Sequence, residues 1–186
     1  SAHPLKNLNA FGDSGFITTN NYEIAKKAKK LSNHGIENRN KVKSFGYVSR
    51  MDNLQAGILN FHLKNLNNVI KKRRKNADKY YNLLNRNNIF IPKKNKKYYD
   101  TFHTFVIQVK KRTSLQKYLL SNGIGTAIHY PIPIHLQPAC NFLGFKKGDF
   151  PMTEKQSKEI LSIPVNQYLN DSSVHRISEC INNFYK

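Results

Sequence analysis

The sequence predicts an α/β protein, and three observations carry that expectation. Apolar residues recur three and four apart over long stretches, as at Leu59, Leu63, Leu66 and Ile70, which is the stripe of an amphipathic helix. Other stretches are β-branched and alternating, residues 101–109 most clearly, and read as strands. The two kinds follow one another along the chain, divided by glycine, proline and asparagine breaks, as helices and strands sharing a core require.

In chain order, the turn Gly12-Asp13-Ser14-Gly15 leads into a strand over residues 16–19. A helix follows, with Asn20 or Asn21 as its cap, Ile24, Ala25, Ala28 and Leu31 on one face, and Gly35 as its stop. Residues 36–50 carry no period and read as a loop. Asp52 then caps a long helix over residues 54–85, which holds no proline and one glycine, Gly57. Such a helix would reach roughly 50 Å, a length suited to joining two domains. Its basic run, Lys71 to Arg74, reads as a solvated turn. Ile89-Phe90-Ile91-Pro92 ends this region and the basic loop 93–97 marks a boundary. Beyond it come a strand over 101–109, a helix over 114–122 stopped by Gly123, and a short strand over 126–130. Pro131 and Pro133 exclude α-helix from the next stretch. A short helix over 137–143, a loop to Pro151, a helix capped by Thr153 and running through Leu161, and a last helix capped by Asp171 complete the chain. Val174, Ile177, Ile181 and Phe184 share one face of that last helix. The expected organisation is residues 1–50 as the end of a larger domain, 51–90 as a bridging helix, and 91–186 as a small α/β domain.

Of the 186 residues, 39% are hydrophobic, enough for a core. No apolar run is long enough to span a bilayer, and no charged-then-apolar leader opens the chain. Cys140 and Cys180 suggest no disulfide framework, so reduced thiols in a cytoplasm are expected. The chain starts on Ser1 rather than Met and reads as part of a longer protein. Its net charge of +20, from 31 Lys+Arg against 11 Asp+Glu, could attract nucleic acid or an anionic surface. The lysines are spread along the chain among many asparagines, which argues for biased residue usage over a dedicated nucleic-acid patch. A zinc site at His129, His135 and Cys140 is not expected, because the spacings fit no common ligand motif.

Three stretches could carry chemistry. In the first, Ser1-Ala2-His3-Pro4-Leu5-Lys6, a lysine beside a strand with a hydroxyl nearby could hold a phosphorylated aldehyde cofactor as an imine. The second is Gly46-Tyr47-Val48-Ser49-Arg50, continuing through Leu54-Gln55-Ala56-Gly57; its planar guanidinium could pair a carboxylate bidentately. The third, His129-Tyr130-Pro131-Ile132-Pro133-Ile134-His135-Leu136-Gln137, is a proline-walled segment able to offer hydrogen bonds to hydroxyls or a ketone.

In this order, the three stretches resemble the DegT/DnrJ/EryC1/StrS family of sugar aminotransferases. That family uses pyridoxal 5'-phosphate to place amino groups on nucleotide-linked sugars. Ser1, Lys6, Gly12, Asp13 and Gly15 match its lysine segment, with Ala2 where an aromatic usually stands and Ser14 in place of a glycine. The resemblance implies the C-terminal part of a fold-type-I enzyme: the end of a large cofactor-binding domain, then a small C-terminal domain. It implies Lys6 as the catalytic, cofactor-bearing residue and Ser1 as a cofactor phosphate ligand. It also implies Arg50, His129, Tyr130 and His135 as substrate-binding residues, with Arg50 reaching a neighbouring subunit's site in a homodimer. Val48 stands where the family's phosphate-reaching asparagine usually is, and valine cannot donate that bond. The implied substrates are a nucleotide-linked keto sugar and L-glutamate. The rival readings are a basic nucleic-acid- or acidic-surface-binding module, and a family member that kept the fold without activity.

Overall fold

The computed structural model of the chain describes residues 1–38 and 41–186. Its contacts divide it into two compact units, residues 1–67 and 68–186.

In the first unit, α1 (Tyr22–Leu31) starts where the Asn21 side chain accepts the Ile24 N–H at 3.1 Å. Glu23 in its first turn and Lys29 and Lys30 in its last both complement the helix dipole. The chain then doubles back tightly. Gly35 has φ +72° and donates to Lys30 O at 3.0 Å, while Tyr47 donates to Leu31 O at 2.7 Å. This brings Gly46 so close that a Cβ there would lie 2.3 Å from the Gly35 nitrogen and 2.8 Å from Leu31 O. Gly46→Ala is therefore expected to destabilise the unit by about 1–3 kcal/mol, read as a lowered thermal midpoint. Within the expected loop, β1 (Ile36–Asn38) and β2 (Lys41–Val42) form a small antiparallel pair. Among the described residues no strand pairs with residues 16–19, and Phe16 and Ile17 are exposed. The expected strand is absent there because a strand is defined by a neighbour that local sequence does not supply.

The single long helix is two. α2 (Asn53–Leu63) has Asp52 at its cap position, without a capping side-chain bond, and α3 (Leu66–Leu83) follows after a turn at Lys64 and Asn65. At the break Asn65 donates to His62 O at 3.0 Å, a three-residue closure in place of the helical four. Asn65, Asn67 and Asn68 supply the reason, since asparagine competes for backbone groups inside helices. The apolar stripe runs through the break and so could not reveal it.

The second unit is built on an antiparallel sheet of order β3-β4-β5: β3 (Ile89–Phe90), β4 (Phe105–Val109) and β5 (Ile160–Ile163). Phe105, Ile107 and Val109 of β4 turn to one face and join Tyr80 and Leu84, Leu115 and Leu119 of α4 (Arg112–Ser121), and Val174, Ile177 and Ile181 of α6 (Asp171–Phe184) in one core. Each such side chain contributes roughly 1.5–3 kcal/mol of burial. α4 and the apolar face of α6 lie where periodicity places them.

Several boundaries move. α6 is capped by Asn170, which accepts the Ser173 N–H at 2.8 Å; Asp171 is its first residue. α5 (Pro151–Glu159) begins on its proline, so Thr153 is internal. Ile160 and Leu161, expected as the end of that helix, open β5 instead, paired along β4 with Phe105 opposite Ile163. Pro164, which disfavours helix at the residue before it, was the local sign. The strand expected at 126–130 is a single bridge from Ala127 to Ser162, the 101–109 strand starts at Phe105, and Ile134–Leu136 and Pro138–Leu143 are 3₁₀ turns.

The basic run of α3 is not uniformly solvated. Arg73 is only 7% exposed. It donates from Nε to Gln167 Oε1 at 2.9 Å and from Nη1 to the Phe102 and His103 carbonyls, each at 3.2 Å. Burial of the guanidinium pulls its pKa below the ordinary arginine value.

Burial also raises two tyrosines of this unit. Tyr80 donates to Pro164 O at 2.8 Å and is held well above its ordinary value, and Tyr185 is pushed from 10.0 to about 12. A raised folded pKa means stability that is fully present below the unfolded value and lost as pH rises toward the folded one. The second unit is thus expected to weaken from pH 10 upward. Alkaline titration of its unfolding midpoint checks this: Tyr80→Phe should flatten the slope, and an unchanged slope would contradict it.

Candidate active site

The chain from Ala2 to Ala10 forms a closed loop. Ala10 donates to Ala2 O and Ala2 to Ser14 O, each at 2.8 Å, and both alanines are fully buried beside Leu59 of α2. Ala2 thus occupies a tight position at the loop's neck. Lys6 lies in the loop, half-buried, with its N–H turned onto His3 O at 2.8 Å. On either side of the neck the segment is fastened to α2: Gln55 Oε1 accepts the Phe11 N–H at 2.9 Å, and His62 Nδ1 donates to Asn9 O at 2.7 Å. Gln55 thus holds the end of the lysine loop to α2.

A cleft of about 1060 Å³ opens beside this loop. Ser1, residues 13–19, Ala25 and Ala28 of α1, Lys29, and Val48 to Arg50 line it. The fold therefore brings Ser1 and Arg50 to one cavity although 49 positions separate them. Lys6 is not among the lining residues. Hydroxyls from Ser1 and Ser49, with the Lys29 cation, form a donor set that suits a phosphate-bearing ligand, while the Ser14 hydroxyl is turned onto Ala2 O at 3.2 Å. These residues fit the phosphate end of pyridoxal phosphate, with Lys6 close in sequence as the amine for its aldehyde.

In the second unit, His129 shares a hydrogen bond of 2.9 Å between Nδ1 and Ser162 Oγ of β5. Tyr130 is 72% exposed. His135 is buried, its Nε2 at 3.2 Å from Glu154 Oε1 and its ring against Phe150. Glu154 also accepts the Gly148 N–H at 2.6 Å. That backbone bond, with His135 second among the favourable contacts, holds its carboxyl below the usual carboxylate range. Nothing local in the sequence marks Glu154, because its partners come from other turns of the chain.

Among the described residues no cluster of His, Cys, Asp or Glu could hold a metal ion, and no helix is long and apolar enough to cross a membrane. Both cysteines are free.

The sequence profile of the DegT/DnrJ/EryC1/StrS aminotransferase family matches residues 1–182. A pleiotropic regulatory protein of Geobacillus stearothermophilus is 38% identical over 100% of this chain and 51% of its own length. A dTDP-3-amino-3,6-dideoxy-alpha-D-galactopyranose transaminase of Aneurinibacillus thermoaerophilus is 35% identical over 91% of this chain and 46% of its own. Among solved structures, S. venezuelae DesV in complex with a ketimine intermediate superposes with TM-score 0.93 at 28% identity, over 100% of this chain and 50% of that one. NtdA of Bacillus subtilis, with bound cofactor PMP, superposes with TM-score 0.85 at 31% identity, over 97% of this chain and 43% of that one. The chain spans about half the length of the curated relatives it matches.

Proposed function

Because this chain belongs to the DegT/DnrJ/EryC1/StrS aminotransferase family, we propose that it supplies the cofactor lysine of a pyridoxal-phosphate-dependent nucleotide-sugar aminotransferase. The observation that carries this reading is the hydroxyl-lined cleft at Ser1, beside the closed loop that contains Lys6. The transaminase named among the relatives and the cofactor named for NtdA support it.

Ser1 would donate its hydroxyl to the cofactor phosphate. Lys6 would hold the cofactor through Nζ and, as a free amine, would carry the proton to and from the donor's α-carbon. Arg50 pairs the carboxylate of the amino donor, L-glutamate, in a partner subunit's site. His129 and Tyr130 hold hydroxyls or the ketone of a nucleotide-linked keto sugar. His135, buried against Glu154, acts by placement. The chemistry the cofactor contributes when bound is that of an electron sink. In domain terms, residues 1–50 would complete the cofactor domain, 51–90 bridge, and 91–186 form the small domain of a cytoplasmic homodimer.

The test is turnover. The intact protein, loaded with pyridoxal phosphate, should consume glutamate beyond one equivalent per site only when a keto-sugar nucleotide is present to take the amino group, and Lys6→Ala should abolish this. The relative named a regulatory protein favours a second reading, a non-catalytic family member. Absence of turnover across dTDP- and UDP-linked 3- and 4-keto sugars would favour it.

A further inference from the structure

The segment between His129 and His135 is fixed at both ends by contacts with other elements. Its near end is tied to the middle of β5. Ala127 and Ser162 exchange both backbone bonds, at 3.1 and 2.8 Å, and His129 adds the Ser162 hydroxyl. Its far end is tied to α5, where one oxygen of Glu154 receives both the His135 ring nitrogen and the Gly148 N–H. An ionised carboxylate only accepts, so Nε2 of His135 carries the hydrogen. Between these ties Tyr130, Ile132 and Ile134 are exposed, and Pro131 and Pro133 restrict the backbone while removing two donors. Such a segment keeps one geometry only if both of its ends are held.

We propose that Glu154 is a positioning residue: by holding His135 and Gly148 together it fixes the far end of the 129–135 segment, as Ser162 fixes the near end, so that Tyr130 meets a sugar-nucleotide ligand in one orientation. The link to a ligand rests on the aminotransferase reading above; the tie itself does not. Charge is what the position requires. A carboxylate accepts two strong bonds at one oxygen, whereas the neutral oxygen of an amide accepts them more weakly. Glu154→Gln keeps the shape and removes the charge, and so isolates this effect.

The experiment uses the intact protein with Glu154→Gln and, independently, His135→Asn. Backbone hydrogen exchange at residues 130–136 is expected to speed up roughly tenfold, with β4 and α6 unchanged. KM for the keto-sugar nucleotide should rise roughly tenfold, while KM for glutamate stays put. Unchanged exchange at 130–136 in both variants overturns the proposal, as does loosening that spreads through β4 and α6, which would mark general destabilisation. Faster exchange with an unmoved sugar-nucleotide KM overturns it too, because the tie would then hold a segment that no ligand reads. If the unmutated protein shows no Lys6-dependent turnover, the aminotransferase reading fails, and exchange alone decides whether Glu154 holds the segment.

Discussion

Lys6→Ala is expected to abolish covalent retention of pyridoxal phosphate and to lower amino transfer by roughly two to four orders of magnitude. The primary amine is needed twice, first to bond the cofactor aldehyde and then to return a proton. Alanine can do neither. Lys6→Arg should be as inactive, because a guanidinium forms no such bond and does not give up its proton near neutrality. The loop around Lys6 is closed by backbone bonds between Ala2, Ala10 and Ser14, which the substitution leaves available. The thermal midpoints of parent and variant are the control that separates lost chemistry from lost fold. Borohydride reduction of the loaded protein, followed by peptide mapping, provides the direct readout. A modified peptide that lacks Lys6, or an undiminished cofactor absorbance band in Lys6→Ala, would refute the assignment.

Arg50→Ala is expected to reduce kcat/KM for glutamate about 10- to 100-fold, the cost of losing a charged, two-point partner for a carboxylate. Arg50→Lys should recover little, since an ammonium keeps the charge but not the planar fork. Arg50 is exposed where it lines the cleft, so neither change should disturb the core. The sharper test is complementation. In randomly mixed subunits of Lys6→Ala and Arg50→Ala, half the dimers are hybrids, and each hybrid has one of two sites intact. Activity near one quarter of the parent is then expected. No recovery in demonstrated heterodimers would place Arg50 in its own subunit's site or in none.

The helices were readable because their signals are local. The Asn21 cap, the Lys29 and Lys30 charges and the Val174, Ile177 and Ile181 stripe all lie within a few turns of one another, and the structure keeps each. The break at Lys64 and Asn65 was missed because periodicity outlasts a one-turn defect; the asparagines beside it carried the signal. The residues of the candidate site were legible as motifs, yet their surroundings were not. Gln55 under the lysine loop, Ser162 under His129 and Glu154 under His135 came only with the fold.

What the sequence determined alone is the α/β class, the helical faces and the membership in an aminotransferase family. Each of these depends on residue type and short-range spacing. The tertiary structure decided which strands exist and which polar groups are buried. β5 becomes a strand because β4 lies beside it. Arg73 is desolvated because Gln167 and two carbonyls of the 102–103 turn arrive to accept its hydrogens, and Tyr80 because Pro164 does. Pairings of that kind join residues up to 94 positions apart, and their free energy appears only when the chain has closed the loop between them.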